Sequence, residues 1–286
     1  MDTHPNPLNF ASTWQEYARH NMSHRYADAE EIAFWHEHAL GYEAQLEREA
    51  QGSSETCKVI EAYLQSGDSL LDVGAGSGRF TIPFADSVAH ITALDLSPTM
   101  LDILKRKADA QRKSNITTVC GNWEVQPIEP HDVVLAAWSL YRQHDILKSL
   151  QKLIDTTQRT LIIVDGDYAP RPSDDPPHEC LKTEIWGGGD QGICNYLYFA
   201  GMLRQCRVRA QVHVVHETIK KYAPTPHQLA LQFAPDDATD AELATFTSAL
   251  SNNFRQTSNG YCYRYQVAVG VVIWQRPMME GSKWSL

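Results

Sequence analysis

The segment SLLDVGAGSGRFTIPFADSVAHITALDLSPTML, from Ser69 to Leu101, constrains the fold of this chain more than any other. A short apolar run ends at Asp72, and Gly74, Gly76 and Gly78 follow at alternate positions. A second apolar run ends at Asp95. The order predicts a strand, a glycine turn, a helix, a strand and an acidic tip, which is half of a nucleoside-binding α/β unit. Arg79 stands where a glycine would complete Gly-x-Gly-x-x-Gly. That last glycine allows close helix–strand packing beneath a pyrophosphate, so its replacement disfavours a nicotinamide dinucleotide site.

The same alternation continues. Strands are expected at Ser69–Val73, His90–Leu94, Thr117–Cys120, Asp132–Trp138 and Thr160–Asp165. Helices are expected near Phe80–Ala85, Pro98–Lys113 and Asp145–Ile154, the second beginning with proline after Ser97. Such a βαβα rhythm implies a parallel sheet with helices on both faces. Right-handed crossovers then put every strand carboxyl end on one edge, where open α/β sheets bind ligands. Upstream, residues 1–20 read as polar and loosely held. Asp28 to about Gln51 reads as a helix with an apolar stripe of Ile32, Trp35, Ala39, Tyr42 and Leu46 and acids near its positive end. SSETCKVIEAYLQ reads as a second helix with a serine cap.

After Asp165 the rhythm changes. The proline-rich DGDYAPRPSDDPPHEC and the glycines of WGGGDQG read as loop, and ICNYLYFAGMLRQC as helix. Val208–His216 and Tyr263–Gln275 read as strands, paired antiparallel at one edge, with helices in TPHQLALQF and DDATDAELATFTSALSNNF between them. The expected division is a helical cap over 1–55 and an α/β domain over 56–286, with lid-like insertions near 166–207 and 220–262.

Composition narrows the function. A net charge of −10 disfavours general nucleic-acid binding, which needs clustered Lys and Arg. KRKADAQRK, from Lys105 to Lys113, is the one dense basic run and reads as a solvated helix face. Six scattered cysteines with no C-x-x-C pair, and no leader-like start, suggest reduced thiols in a cytoplasm. No apolar run of about 18 residues predicts a membrane span. The histidines are mostly isolated, so no metal site is expected.

The pattern Asp-x-Gly-x-Gly-x-Gly followed by a second acidic strand tip resembles motif I of the class I S-adenosylmethionine-dependent methyltransferases. The resemblance runs well from about 30 to 165 and loosely over the last strand pair. It implies a Rossmann-like sandwich with a mostly parallel seven-stranded sheet, and S-adenosyl-L-methionine as cofactor. By that resemblance Asp72, Gly74, Ala75, Gly76 and Gly78 form the cofactor loop, and Asp95 accepts from the ribose hydroxyls. Leu96 and Met100 pack against the adenine, with core packing an equal alternative for Met100. Asn122 accepts from the adenine amine, Trp123 covers the ring, and Ala137 lies near the methionine part. FWHEHALGY resembles a helix that covers the cofactor in small-molecule members, which would bring Trp35 and Tyr42 to the substrate. The Pro-Gly-Gly turn often found before the fifth strand is absent, and Asp155–Arg159 replaces it.

Methyl transfer needs alignment and water exclusion first, and a base only when the nucleophile arrives protonated. Tyr141 and His144, after the fourth strand, are the candidate catalytic residues. Asp145, His178, Glu179, Tyr196 and Tyr198 are other titratable groups in range, with surface or packing roles as alternatives. Trp138, Trp186 and Tyr196 are expected to contact a small, partly apolar substrate, and the protein to be a monomer or homodimer. A protein or RNA methyltransferase, or a fold relative with other chemistry, stays open.

Overall fold

A computed structural model describes residues 9–22, 27–49, 54–143, 145–167, 177–186, 194–235 and 237–277. Three helices precede the sheet: α1 (Phe10–Met22), α2 (Asp28–Glu49) and α3 (Glu55–Glu61). There follow β1 (Ser69–Val73), α4 (Thr81–Phe84), β2 (His90–Asp95), α5 (Pro98–Ala110), β3 (Ile116–Cys120), β4 (His131–Ala137), α6 (Ile146–Thr156) and β5 (Thr157–Gly166). The C-terminal part comprises α7 (Pro177–Trp186), α8 (Asn195–Gln205), β6 (Gln211–Ala223), α9 (Pro226–Leu231), α10 (Asp240–Leu250), β7 (Phe254–Thr257) and β8 (Gly260–Gln275).

The strand order is β3-β2-β1-β4-β5-β8-β6, with β7 pairing β8. Strands β1 to β5 run parallel. β8 is antiparallel to both β5 and β6. The expected parallel sheet with an antiparallel edge pair is present, and the short β7 hairpin strand is an addition to it.

The central strands are apolar at nearly every position because both of their faces are buried. Successive side chains point to opposite faces. Leu71, Val73, Val134, Ala136, Leu161 and Ile163 therefore meet α1, α6 and α8 on one side. Leu70, Val133, Leu135, Ile162 and Val164 pack with Ile60, Phe80 and Phe84 on the other.

Residues 9–20 are not loosely held, contrary to the expectation for this part of the chain. Ala11, Trp14 and Ala18 share one helical face, and Trp14 is only 1% exposed. Its ring lies 4.7 Å from that of Phe199 on α8. Part of the expected proline-rich loop is likewise helical, as α7. The glycine run 187–189 lies outside the described residues.

β8 outruns β5. It pairs with β5 from Gln275 to Val269, and then with β6 alone to Tyr261 opposite Ala223. A two-stranded ribbon is marginal in water unless something covers it. Here α7, α9 and α10 supply the cover, around a separate core of Leu229, Leu243, Phe246, Leu250 and Tyr263. Because β5 ends at Gly166 opposite Val269, this ribbon projects past the carboxyl edge of the sheet.

Phe246→Ala in that separate core is expected to destabilise the extension by about 3–5 kcal/mol. Hydrogen exchange should quicken across the 223–265 ribbon while β1 and β4 keep their protection. Equal loss of protection in both would show that the extension does not open as its own unit.

Candidate functional site

At the carboxyl edge the chain turns sharply after β1. Gly74 and Ala75 N–H groups both donate to the Leu94 carbonyl, at 2.8 and 3.0 Å, so the loop is seated on the end of β2. Gly74, Gly76 and Gly78 have φ of 72°, 54° and 86°. A Cβ on Gly74 would stand 2.4 Å from Ser139 Cβ, so only glycine fits there.

Asp95 fastens the loop from the other side. Its carboxylate accepts from Gly76 N–H at 2.8 Å and from Ser97 N–H at 2.7 Å. The cap of α5 is Ser97, whose hydroxyl accepts from Met100 N–H at 3.3 Å. Asp95 is therefore a loop anchor rather than the helix cap. Asp72 lies beneath the turn and accepts from Thr81 Oγ1 at 2.6 Å. Burial pushes Asp72 up to about 7, with the Asp95 charge adding to the effect and Thr81 opposing it. Burial also raises Asp95, and the Glu31 carboxylate adds to that.

Asp72, Gly74, Gly76 and Asp95 line a cavity of about 350 Å³, together with Ala75, Ser77, Leu96, Met100 and Trp123. Ala137, Trp138, Ser139, Tyr141, Arg142 and Gln143 close it from the β4 side, and Glu31, Trp35 and Tyr42 from above. Helix α2 is tied across this opening by its first turn. Glu31 accepts from Trp35 Nε1 at 2.8 Å and from the Tyr141 hydroxyl. Asp28 accepts from Arg142 Nη2 at 2.8 Å and from Asn122 Nδ2 at 3.1 Å. Further along, Lys107 pairs with Glu43 at 2.5 Å, and His36 Nδ1 lies 3.1 Å from Thr99 Oγ1.

Most residues expected at the site therefore meet in one cavity: Asp72, Gly74, Ala75, Gly76, Asp95, Leu96, Met100, Trp123, Ala137, Trp35, Tyr42, Trp138 and Tyr141. Four do not line it. Gly78 packs against Ile82 and Leu104, where a Cβ would stand 3.0 Å from each. Asn122 spends its amide on Asp28 and accepts from Glu124 N–H at 2.9 Å. Trp186 belongs to the core of the extension, 4.9 Å from the Phe246 ring. Tyr196 is buried against β8, where Gly270 leaves the space its ring fills.

His144 lies outside the described residues. Asp145 caps α6 by accepting from Lys148 N–H at 3.2 Å. His178 is buried among Phe233, Tyr263 and Tyr265 and bonds Tyr263 Oη at 3.1 Å, with Glu179 beside it. Tyr198 packs edge-on against Phe10. These side chains hold the fold away from the cavity.

Sequence reasoning missed Glu31, Arg79, Phe80, Arg142 and Gln143, all of which line the cavity. For Glu31 a signal existed. It stands one turn before Trp35, on the helical face that also carries Tyr42. An acid near the start of a helix also suits the dipole, and that second reason for its presence masks the role in the cavity. Trp138 adds a local anomaly, with φ of 49° in a bulky residue directly after β4. Backbone strain of this kind concentrates where a site demands a particular side-chain position.

Residues 70–160 match a family model described as a methyltransferase domain. Over that stretch, from β1 into β5, the chain is similar to a methyltransferase domain. A demethylmenaquinone methyltransferase of Thermobifida fusca is 30% identical over 130 residues, covering 44% of this chain and 54% of that protein. A ribosomal protein L11 methyltransferase of Geobacillus thermodenitrificans is 35% identical over 81 residues, covering 28% and 26%. The chain spans about half the length, or less, of the curated relatives it matches. The structure of YcgJ from Bacillus subtilis has the same fold, with a TM-score of 0.54 at 14% identity over 79% of this chain and 99% of that one.

The raised Asp72 value has a consequence for stability. The group holds its proton in the folded protein up to about pH 7, whereas the unfolded chain releases it near the ordinary 3.8. Its contribution to stability is therefore complete below about pH 4 and is lost as pH rises toward 7. Asp165, also pushed up to about 7 by burial, is common to both proteins and cancels. Asp72→Asn cannot ionise, so urea unfolding should show a smaller loss of stability between about pH 4 and 7 than wild type. Equal losses would contradict burial of an ionisable Asp72 as the cause.

Proposed function

We propose that the protein transfers the methyl group of S-adenosylmethionine to an O, N or C nucleophile of a small molecule by in-line displacement. The observation that carries this is the cavity itself. A glycine turn anchored by Asp95 forms its floor, and α2 is bonded across its top.

The residues present fit the cofactor. Gly74 and Gly76 present bare backbone to the cavity, and a Cβ on Gly74 would run into Ser139, which also lines it. Ser77 and Ser139 hydroxyls and Gln143 Oε1 are buried without a hydrogen-bond partner among the described residues, and all three residues line the cavity. Buried polar atoms of this kind are costly until a ligand satisfies them. Glu31 and Asp95, with Asp72 as a third acidic group beneath the turn, make the lining suited to a ligand that carries positive charge.

When bound, the cofactor supplies a methyl group on a cationic sulfur with a neutral leaving group. Asp95 keeps lone pairs for the ribose hydroxyls beyond its two backbone bonds. Leu96, Met100 and Trp123 give apolar walls for the base, and Ala137 leaves room beside the methionine part. Trp35, Tyr42 and α2 exclude water, which strengthens every charge interaction inside. The Tyr141 hydroxyl donates to Glu31, so a proton lost by an incoming nucleophile has a route onto that carboxylate.

A small acceptor is supported by α2, which a protein or RNA strand would have to displace. Two cations of the basic run on and just after α5 support it too, because Lys107 and Lys113 are paired with Glu43 and Asp86. Among the described residues no helix is long and apolar enough to cross a membrane.

Calorimetric titration with S-adenosylhomocysteine, with NADH as control, tests the cofactor. Micromolar binding of the former alone is expected, and Asp95→Ala should weaken it by about 1–3 kcal/mol through lost charge-assisted hydrogen bonds. Binding of NADH alone, or of neither compound, would remove the methyltransferase reading.

A further inference from the structure

Two cations line the cavity, and they are in different states. Arg142 is neutralised by Asp28 at 2.8 Å. Arg79 has no ion-pair partner among the described residues, although it stands in a cavity that also holds Glu31, Asp72 and Asp95. Nor is it loose. Its guanidinium carbon lies 4.6 Å from the Trp138 ring centre and 5.8 Å from that of Phe80. The two rings are stacked, 6.0 Å apart and 14° from parallel, and both line the cavity.

Trp138 reaches this position from a left-handed backbone, at φ 49°. That conformation is unfavourable for a bulky side chain, so it persists only where surrounding contacts fix it. A guanidinium held over an aromatic face loses little freedom when it binds, and its fork of N–H groups matches a carboxylate. Glu217, an acid outside the cavity that feels the Arg79 charge, does not consume it. Burial works against ionisation of Glu217, but hydrogen bonds from Ser54 and Thr56, with the more distant Arg79 charge, hold it below the ordinary range. Those bonds, at 2.6 and 2.7 Å, tie the Glu217 carboxylate to the start of α3.

We propose that Arg79, held on the Trp138 and Phe80 rings, is the carboxylate anchor of this cavity. The cavity is then two-signed, with acids at the Asp95 end and one available cation beside Trp138. The assignment rests on the methyltransferase reading and adds to it. A carboxylate there has two sources, the amino-acid end of the cofactor or an acidic methyl acceptor with an apolar body suited to Trp138 and Phe80.

Four ligands separate these sources by calorimetry on wild type, Arg79→Leu and Arg79→Lys. S-Adenosylhomocysteine is compared with 5′-methylthioadenosine, which lacks the amino-acid end. Benzoate is compared with benzamide on protein saturated with S-adenosylhomocysteine. Arg79→Leu is expected to weaken one carboxylate ligand at least tenfold and leave its neutral counterpart unchanged, with Arg79→Lys between. Loss confined to S-adenosylhomocysteine names the cofactor as the source, and loss confined to benzoate names the acceptor. Unchanged affinity for both carboxylates, or equal loss for each neutral counterpart, overturns the proposal. Wild type that binds neither nucleoside contradicts the methyltransferase reading instead. Benzoate against benzamide on the free protein then still decides whether Arg79 holds a carboxylate.

Discussion

One carboxylate joins the parts on which the cavity depends. Asp95 ends β2 and takes the Gly76 and Ser97 amides at once, so a strand tip, the glycine turn and the start of α5 share a single acceptor. Desolvation raises the Asp95 carboxyl, and these two donors oppose that rise. The turn in turn needs Gly74, since Ser139 stands where any side chain would go. Shape and charge at the cavity floor thus follow from the ends of three neighbouring parallel strands, β1, β2 and β4.

What lies above that floor comes from distant parts of the chain. Helix α2 is joined to the cavity rim through Asp28 and Glu31, which find Arg142, Asn122 and Tyr141 about a hundred residues later. Hydrogen bonds to charged groups contribute about 1.5–3 kcal/mol each, and less at the exposed Asp28, so together they hold the cover in place. The extension on β6 and β8 has a different basis. Its stability comes from its own apolar core, and the Glu217 bonds to Ser54 and Thr56 fasten it to α3.

The sheet was readable from residues 69–165 because its strands are apolar runs ended by Asp72, Asp95 and Ala137, with turn residues between. The cavity floor was readable for the same reason, since its residues lie at strand ends. Roles that depend on long-range partners were not. Asn122 reads as a ligand contact until Asp28 is seen to take its amide. Tyr196 and Trp186, beside a glycine run, read as a lid. Their true partners are Gly270 and Phe246, which no local pattern connects to them. The helix α1 was a different failure. Ala11, Trp14 and Ala18 recur at helical spacing, and the polar residues between them hid the stripe. Arg79 was read only for what it excludes, because its stacking on Trp138 follows from a backbone conformation that sequence does not display.

The central claim is that the space between the glycine turn and α2 holds the nucleoside of S-adenosylmethionine. A crystal structure of the protein grown with S-adenosylhomocysteine tests it most directly. The account predicts the ligand in that space, its ribose on Asp95 and its base among Leu96, Met100 and Trp123, with α2 still closed over it. A ligand bound elsewhere, or a nucleoside that leaves Asp95 uncontacted, would contradict it.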